Sequence, residues 1–175
     1  MIKKLTIAAA AVIGAILAYA ATKPDDFVVS RALAMKAPAE KVAAELSDFK
    51  RWEAWSPWEK LDPKMKKTMS GPAAGKGAVY EWKGNSKVGE GRMEILEASR
   101  ERVLIKLDFL KPFAAHNETD FTLAPEGDMT RLTWSMRGKS PLTMKVMGLF
   151  CDMDAMVGKN FEDGLASLKG VVEAK

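Results

Sequence analysis

The chain has 175 residues, 47% of them hydrophobic and 29% charged, an ordinary globular composition with room for one substantial core and not for several domains. Setting aside Lys3 and Lys4, which precede the first apolar run, leaves 25 basic residues against 23 acidic ones, so no concentrated basic surface marks a nucleic-acid binder. The single cysteine, Cys151, excludes an internal disulfide and a cysteine-rich zinc site.

The N-terminal unit, residues 1–24, carries a membrane-directed segment. Leu5 to Ala21 is a run of 17 residues without a charge, flanked by two lysines and the amino terminus in front and by Asp25 and Asp26 behind. That charge asymmetry predicts a cytoplasmic N-terminus and an exported remainder. Two outcomes stay open: an uncleaved single-pass anchor in the cytoplasmic membrane through residues 5–21, or a signal peptide cut near Ala20, where Ala18-Tyr19-Ala20 has the small-x-small pattern.

The rest, residues 25–175, reads as one domain. Phe27 to Ala37 alternates as a strand of mixed polarity, and Pro38 opens a short helix with Val42, Leu46 and Phe49 at helical spacing. In RWEAWSPWEK, Arg51 to Lys60, the proline pushes Ser56 toward extended geometry and ends the helix near Trp55. Trp52 and Trp55 are expected to pack toward the sheet interior and Trp58 near a cavity mouth. Lys60, Lys64, Lys66 and Lys67 read as a solvated strand face.

Further strands follow as an antiparallel meander with turns at residues 71–77, 84–86 and 125–128. Alternation places Tyr80, Trp82, Met93, Phe109, Phe121, Trp134 and Met136 on one side, bulky and apolar. From Pro141 a helical stripe runs through Val146, Phe150, Met153, Val157, Phe161, Leu165, Leu168 and Val172, with bending or fraying expected in residues 143–153. Together these elements predict an α+β domain, a curved antiparallel sheet of about seven strands wrapped around a long C-terminal helix. The cavity candidates are those seven strand residues with Trp55 and Trp58 from the bend and Met147 and Phe150 from the helix, whose methionines suit ligands of irregular shape.

The order of elements and the text from Trp52 to Ile95 resemble the polyketide cyclase/dehydrase branch of the START-like helix-grip (SRPBCC) superfamily. The resemblance covers about residues 27–172, and its most specific parts are four. They are Trp55-Ser56-Pro57-Trp58, Ser70-Gly71-Pro72 with the following Gly-x-Gly, Gly84-Asn85, and the closing helix from Val146-Met147-Gly148 to Gly164-Leu165. It implies a deep hydrophobic cavity between sheet and helix. It implies no fixed reaction, because the superfamily includes lipid carriers, ligand-binding proteins and aromatase/cyclases, and it has no universal catalytic motif to carry over.

Polar chemistry is sparse. Gly71 to Gly77 superficially matches a phosphate loop but lacks its spacing and precedes a strand, so it reads as a hairpin turn. His116, the one histidine, alternates with Glu118 and Asp120 and points outward, leaving no metal site. Asp108 also faces outward, and Cys151 reads as a small packing residue. Asn117-Glu118-Thr119 fits a glycosylation sequon inside a strand, an accidental match. The expected function is a membrane-associated or exported binding module for a lipid or aromatic molecule, with no cofactor and no nucleic acid. The alternative is a cyclase or dehydrase working by general acid/base chemistry in the same cavity, although no inward acid/base pair is identifiable. A third reading is a protein-interaction domain whose cavity is filled by its own side chains.

Overall fold

The alternating runs fold into seven strands: β1 (Asp26–Met35), β2 (Lys66–Ser70), β3 (Val79–Lys83), β4 (Glu90–Ala98), β5 (Arg102–Lys111), β6 (Ala115–Glu126) and β7 (Met129–Lys139). The computed structural model, which describes residues 2–174, orders them β1-β7-β6-β5-β4-β3-β2 in one antiparallel sheet. Strands β2 to β7 form a meander, and β1 closes the other side on β7, with Asp26 opposite Lys139 and Met35 opposite Thr130. The period-2 pattern sends Val103, Ile105, Phe121, Leu123, Leu132 and Trp134 to one face, where all are buried.

That inner face is covered by helices. α2 (Ala39–Ser47) and a 3-10 turn (Phe49–Ala54) lead into α3 (Pro57–Leu61), and α5 (Met153–Glu173) packs against β1, α2 and α3. Phe161, Leu165, Leu168 and Val172 form the buried stripe of α5 at three- and four-residue steps. Gly164 lies in that stripe for a steric reason. A Cβ there would sit 2.8 Å from the Trp134 ring and 3.2 Å from Pro57 Cδ, so glycine is what allows sheet, α3 and α5 to meet. The helix-propensity penalty of about 1 kcal/mol is offset by that contact. The result is an α+β helix-grip fold with an apolar helix in front of it.

The C-terminal stripe is not one helix. α4 (Leu142–Met147) ends at Gly148, and α5 begins only after Asp152, whose carboxylate accepts from the Ala155 N–H at 2.9 Å as an N-cap. The intervening residues break the helical phase, so Met147 and Phe150 leave the line of Phe161 and Leu165 and point to solvent, 50% and 73% exposed. Cys151 lies in the same break and is exposed, a correction to its reading as a packing residue. The buried residue of α4 is instead Lys145, whose ammonium reaches Asp25 at 2.6 Å.

α1 (Ile2–Ala21) packs against α4 and leaves Leu5, Ile7 and Val12 exposed. Among the described residues no helix is long and apolar enough to cross a membrane. The uncharged part of α1, 17 residues, is about 26 Å long against about 30 Å of bilayer hydrocarbon. The amino terminus, to which the sequence assigns a flanking charge, lies outside the described residues.

Candidate ligand cavity

The tryptophan-rich bend builds one half of the interior. Ser56 is extended, at φ −66° and ψ 127°, and Pro57 takes the first turn of α3, where its missing N–H is harmless. The chain therefore turns between Trp55 and Trp58. Trp52 and Trp55 drop into the core with ring centroids 4.8 Å apart, and both meet Phe121 edge-on at 6.1 and 6.4 Å. Trp134 stacks flat on Phe161 at 4.3 Å and receives Trp58 edge-on at 5.7 Å. These offset and T-shaped pairs match the ring quadrupoles and fill most of the space between sheet and α5.

What remains is a cavity of about 140 Å³ beside the aromatic cluster. Trp58, Tyr80, Trp82, Met93, Phe109, Trp134 and Met136 line it, with Phe161 completing the wall from α5. Trp55 and Phe121, both fully buried, do not line it, and neither do the exposed Met147 and Phe150. The methionines that face the cavity come from the sheet side, Met65, Met93 and Met136, and not from the C-terminal helices. A volume of this size is close to the engineered cavity of about 150 Å³ that holds one benzene ring, and well below the roughly 300–1,000 Å³ of drug-sized sites. The cavity implied by the resemblance is thus narrowed by the protein's own indoles.

Sequence reasoning missed the polar corner of this cavity. Glu59, one of its lining residues, has a side chain only 8% exposed. Its Oε1 accepts from the Tyr80 hydroxyl at 2.7 Å, and its Oε2 faces Lys67 Nζ at 2.5 Å. Lys67 is consequently not a solvated surface lysine like its neighbours, because its β2 register turns it toward α3. Ser56-Pro57-Trp58-Glu59 has the spacing of a helix capping box, but the box is not made. Ser56 makes no side-chain cap, its own N–H goes to the Trp52 carbonyl at 2.8 Å, and Glu59 turns inward. Ser56 and Thr119 add two buried hydroxyls to the wall. Among the described residues the Trp134 indole N–H has no partner, but neither has that of Trp55, which does not line the cavity, so this orphan says nothing specific about a ligand.

Burial first, then the hydrogen bond and negative charge of Glu59, push the Tyr80 hydroxyl well above the usual tyrosine range. The chain has two tyrosines, so a Tyr19→Phe variant isolates Tyr80. Because its folded-state pKa is raised, its contribution to stability is complete below the unfolded value of about 10 and is lost as pH rises above it. Absorbance at 295 nm in that variant is expected to rise only together with alkaline unfolding; a reversible step near pH 10 in the folded protein would contradict this placement.

The remaining candidates face away. His116 is 79% exposed on the outer side of the sheet, with Nδ1 2.6 Å from Asp108 Oδ1. Asp108 is more enclosed than its outward direction implies, since His116 and Lys106 flank it. Burial raises its pKa, but the hydrogen bonds and charges of these two neighbours outweigh that and hold the carboxyl below its ordinary range. Asn117 is buried on the inner face, which keeps the sequon out of reach in the folded chain. Residues 71–77 form the connection between β2 and β3, with positive φ at Gly71, Gly75 and Gly77.

A curved sheet gripping one long helix is the helix-grip arrangement, and the comparisons place the chain among proteins of that fold. Residues 26–173 match the family described as polyketide cyclase / dehydrase and lipid transport, and the chain belongs to that family. Among solved structures, protein CV1439 from Chromobacterium violaceum is similar with a TM-score of 0.60 at 18% identity, over 87% of this chain and 100% of that one. Hypothetical protein jhp0584 from Helicobacter pylori gives a TM-score of 0.62 at 12% identity, over 87% and 90% of the two chains. The di-domain aromatase/cyclase StfQ from the steffimycin biosynthetic pathway gives 0.61 at 13% identity, over 85% of this chain and 50% of that protein. A search of curated proteins finds no match. Identities this low establish the shared fold and nothing about the reaction.

Proposed function

We propose that the chain is a binding module that holds a small apolar molecule, of about the size of one aromatic ring, between the sheet and α5. The observation that carries this reading is the 140 Å³ cavity walled by indole, phenyl and thioether groups. Burial of ligand surface, at about 25 cal/mol per Å² before ordering costs, supplies the affinity. α1, with its exposed aliphatic face, tethers the module to a membrane through residues 5–21. The lipid half of the family description fits this cavity less well than a ring does, because an acyl chain outgrows the volume. Purification of the full chain in mild detergent followed by solvent extraction and mass spectrometry tests the reading. A stoichiometric small aromatic or alicyclic compound is expected; repeated recovery of ligand-free protein that also refuses ring-sized probes would overturn it.

The Glu59–Tyr80 pair favours a second reading, a cyclase or dehydrase in which Glu59 takes a proton from a substrate held in the same cavity. The two readings separate on turnover. An enzyme loses product formation in Glu59→Gln while keeping substrate affinity, whereas a binding module returns its extracted ligand chemically unchanged.

A further inference from the structure

The polar corner determines which ring-sized molecules the cavity accepts, an inference that rests on the binding reading above. A carboxylate offers about four acceptor positions and no donor. In Glu59 one position on Oε1 is taken by Tyr80 and one on Oε2 by Lys67, which leaves acceptor capacity on both oxygens. Tyr80 has one hydroxyl hydrogen and gives it to Glu59, so toward anything else its oxygen can only accept. The hydroxyls of Ser56 and Thr119 rotate and serve either role, so they do not set the sign of the corner. Glu59 does.

We infer that this corner selects an aromatic or alicyclic ligand carrying a neutral hydrogen-bond donor, such as a phenolic hydroxyl, and rejects the corresponding carboxylate. A hydroxyl placed there donates to a buried charged acceptor, the stronger kind of hydrogen bond. A methyl group in the same place leaves the acceptors unmet, and a carboxylate sets acceptor against acceptor with no proton to share, the Lys67 ammonium being already turned to Glu59. Lys87 stands exposed in the cavity lining, where solvent and salt screen its pull on an anion.

Ligand-observed ¹⁹F NMR on the full chain at pH 7 tests this with 4-fluorophenol, 4-fluorotoluene and 4-fluorobenzoate, three probes of similar ring size; the phenol is neutral at that pH because phenols ionise near about 10. The wild type is expected to bind 4-fluorophenol about tenfold more tightly than 4-fluorotoluene, and 4-fluorobenzoate about tenfold more weakly, each step corresponding to one charged hydrogen bond gained or one repulsion incurred. In Glu59→Gln, which keeps size and shape, the ratio of phenol to toluene affinity is expected to collapse to about threefold or less, whatever the absolute affinities. Equal wild-type affinities for phenol and toluene overturn the inference and leave the binding reading standing. So does a phenol preference that survives in Glu59→Gln, which would make the Glu59–Lys67 pair only a latch between α3 and β2. No binding of any of the three probes to the wild type overturns the binding reading itself. Should the variant prove too unstable to titrate, the wild-type order of the three probes decides alone.

Discussion

Replacing Trp55 with alanine is expected to destabilise the domain by about 3–5 kcal/mol, the range for deleting a large aromatic from a core that cannot collapse. The indole is fully buried and meets Trp52, Phe121 and Trp134 at once, so no single neighbour can move in without breaking another ring contact. Against a typical total of about 5–15 kcal/mol, this brings the protein close to marginal. In a chain of this size it lowers the melting temperature by roughly 6–20 °C. Because Trp55 does not line the cavity, the affinity for ring-sized probes is expected to change little at temperatures where the variant stays folded. Denaturant unfolding monitored together with probe titration checks both halves. A Trp55→Ala protein of wild-type stability would mean that the indole cluster is not the structural core described above.

Trp134→Ala is expected to cost about the same, but with a different signature. Trp134 is 2% exposed and stacked on Phe161 with an interplanar angle of 8°, and it also forms part of the cavity wall. Removing it merges the new void with the existing cavity. The enlarged space then takes up indole from solution, and a ligand that binds only the folded state raises its stability by mass action, about 2.7 kcal/mol at a hundredfold excess over Kd. Thermal unfolding of Trp134→Ala with millimolar indole is expected to show clear recovery of the melting temperature, and Trp55→Ala little, because its void is walled off by intact rings. Equal rescue of both variants, or of neither, would contradict the separation between a filled core and an adjoining open cavity.

The inward strand residues were legible because one face of each strand is buried, and a period of two then marks Tyr80, Trp82, Met93, Phe109, Trp134 and Met136 without further information. The bend at Ser56-Pro57 was legible for a local reason too, since proline restricts its own φ and the residue before it. Glu59 was not legible. Its spacing from Ser56 describes a surface helix start, and only the pairing of β2 with β3, which brings Lys67 and Tyr80 near α3, turns it inward. Met147 and Phe150 were misplaced because the stripe continues in spacing while the helix does not, and a five-residue break from Gly148 to Cys151 and Asp152 resets the phase. The cavity's size was out of reach for a similar reason. Alternation says which indoles point inward, but how closely Trp52, Trp55 and Trp134 stack, and therefore how much space they leave, depends on contacts between distant elements.

Uptake of an apolar ring into the space between sheet and α5 is reported directly by methionine methyl groups. Of the 11 methionines, Met65, Met93 and Met136 line the cavity, Met35 is fully buried without lining it, and Met147 and Met156 are exposed. With ¹³C-methyl methionine in the full chain, a toluene titration followed by NMR is expected to shift the signals of Met65, Met93 and Met136 saturably, by ring currents, while those of Met35, Met147 and Met156 stay in place. Saturation without movement of those three, or movement confined to Met147 and Met156, would contradict the account.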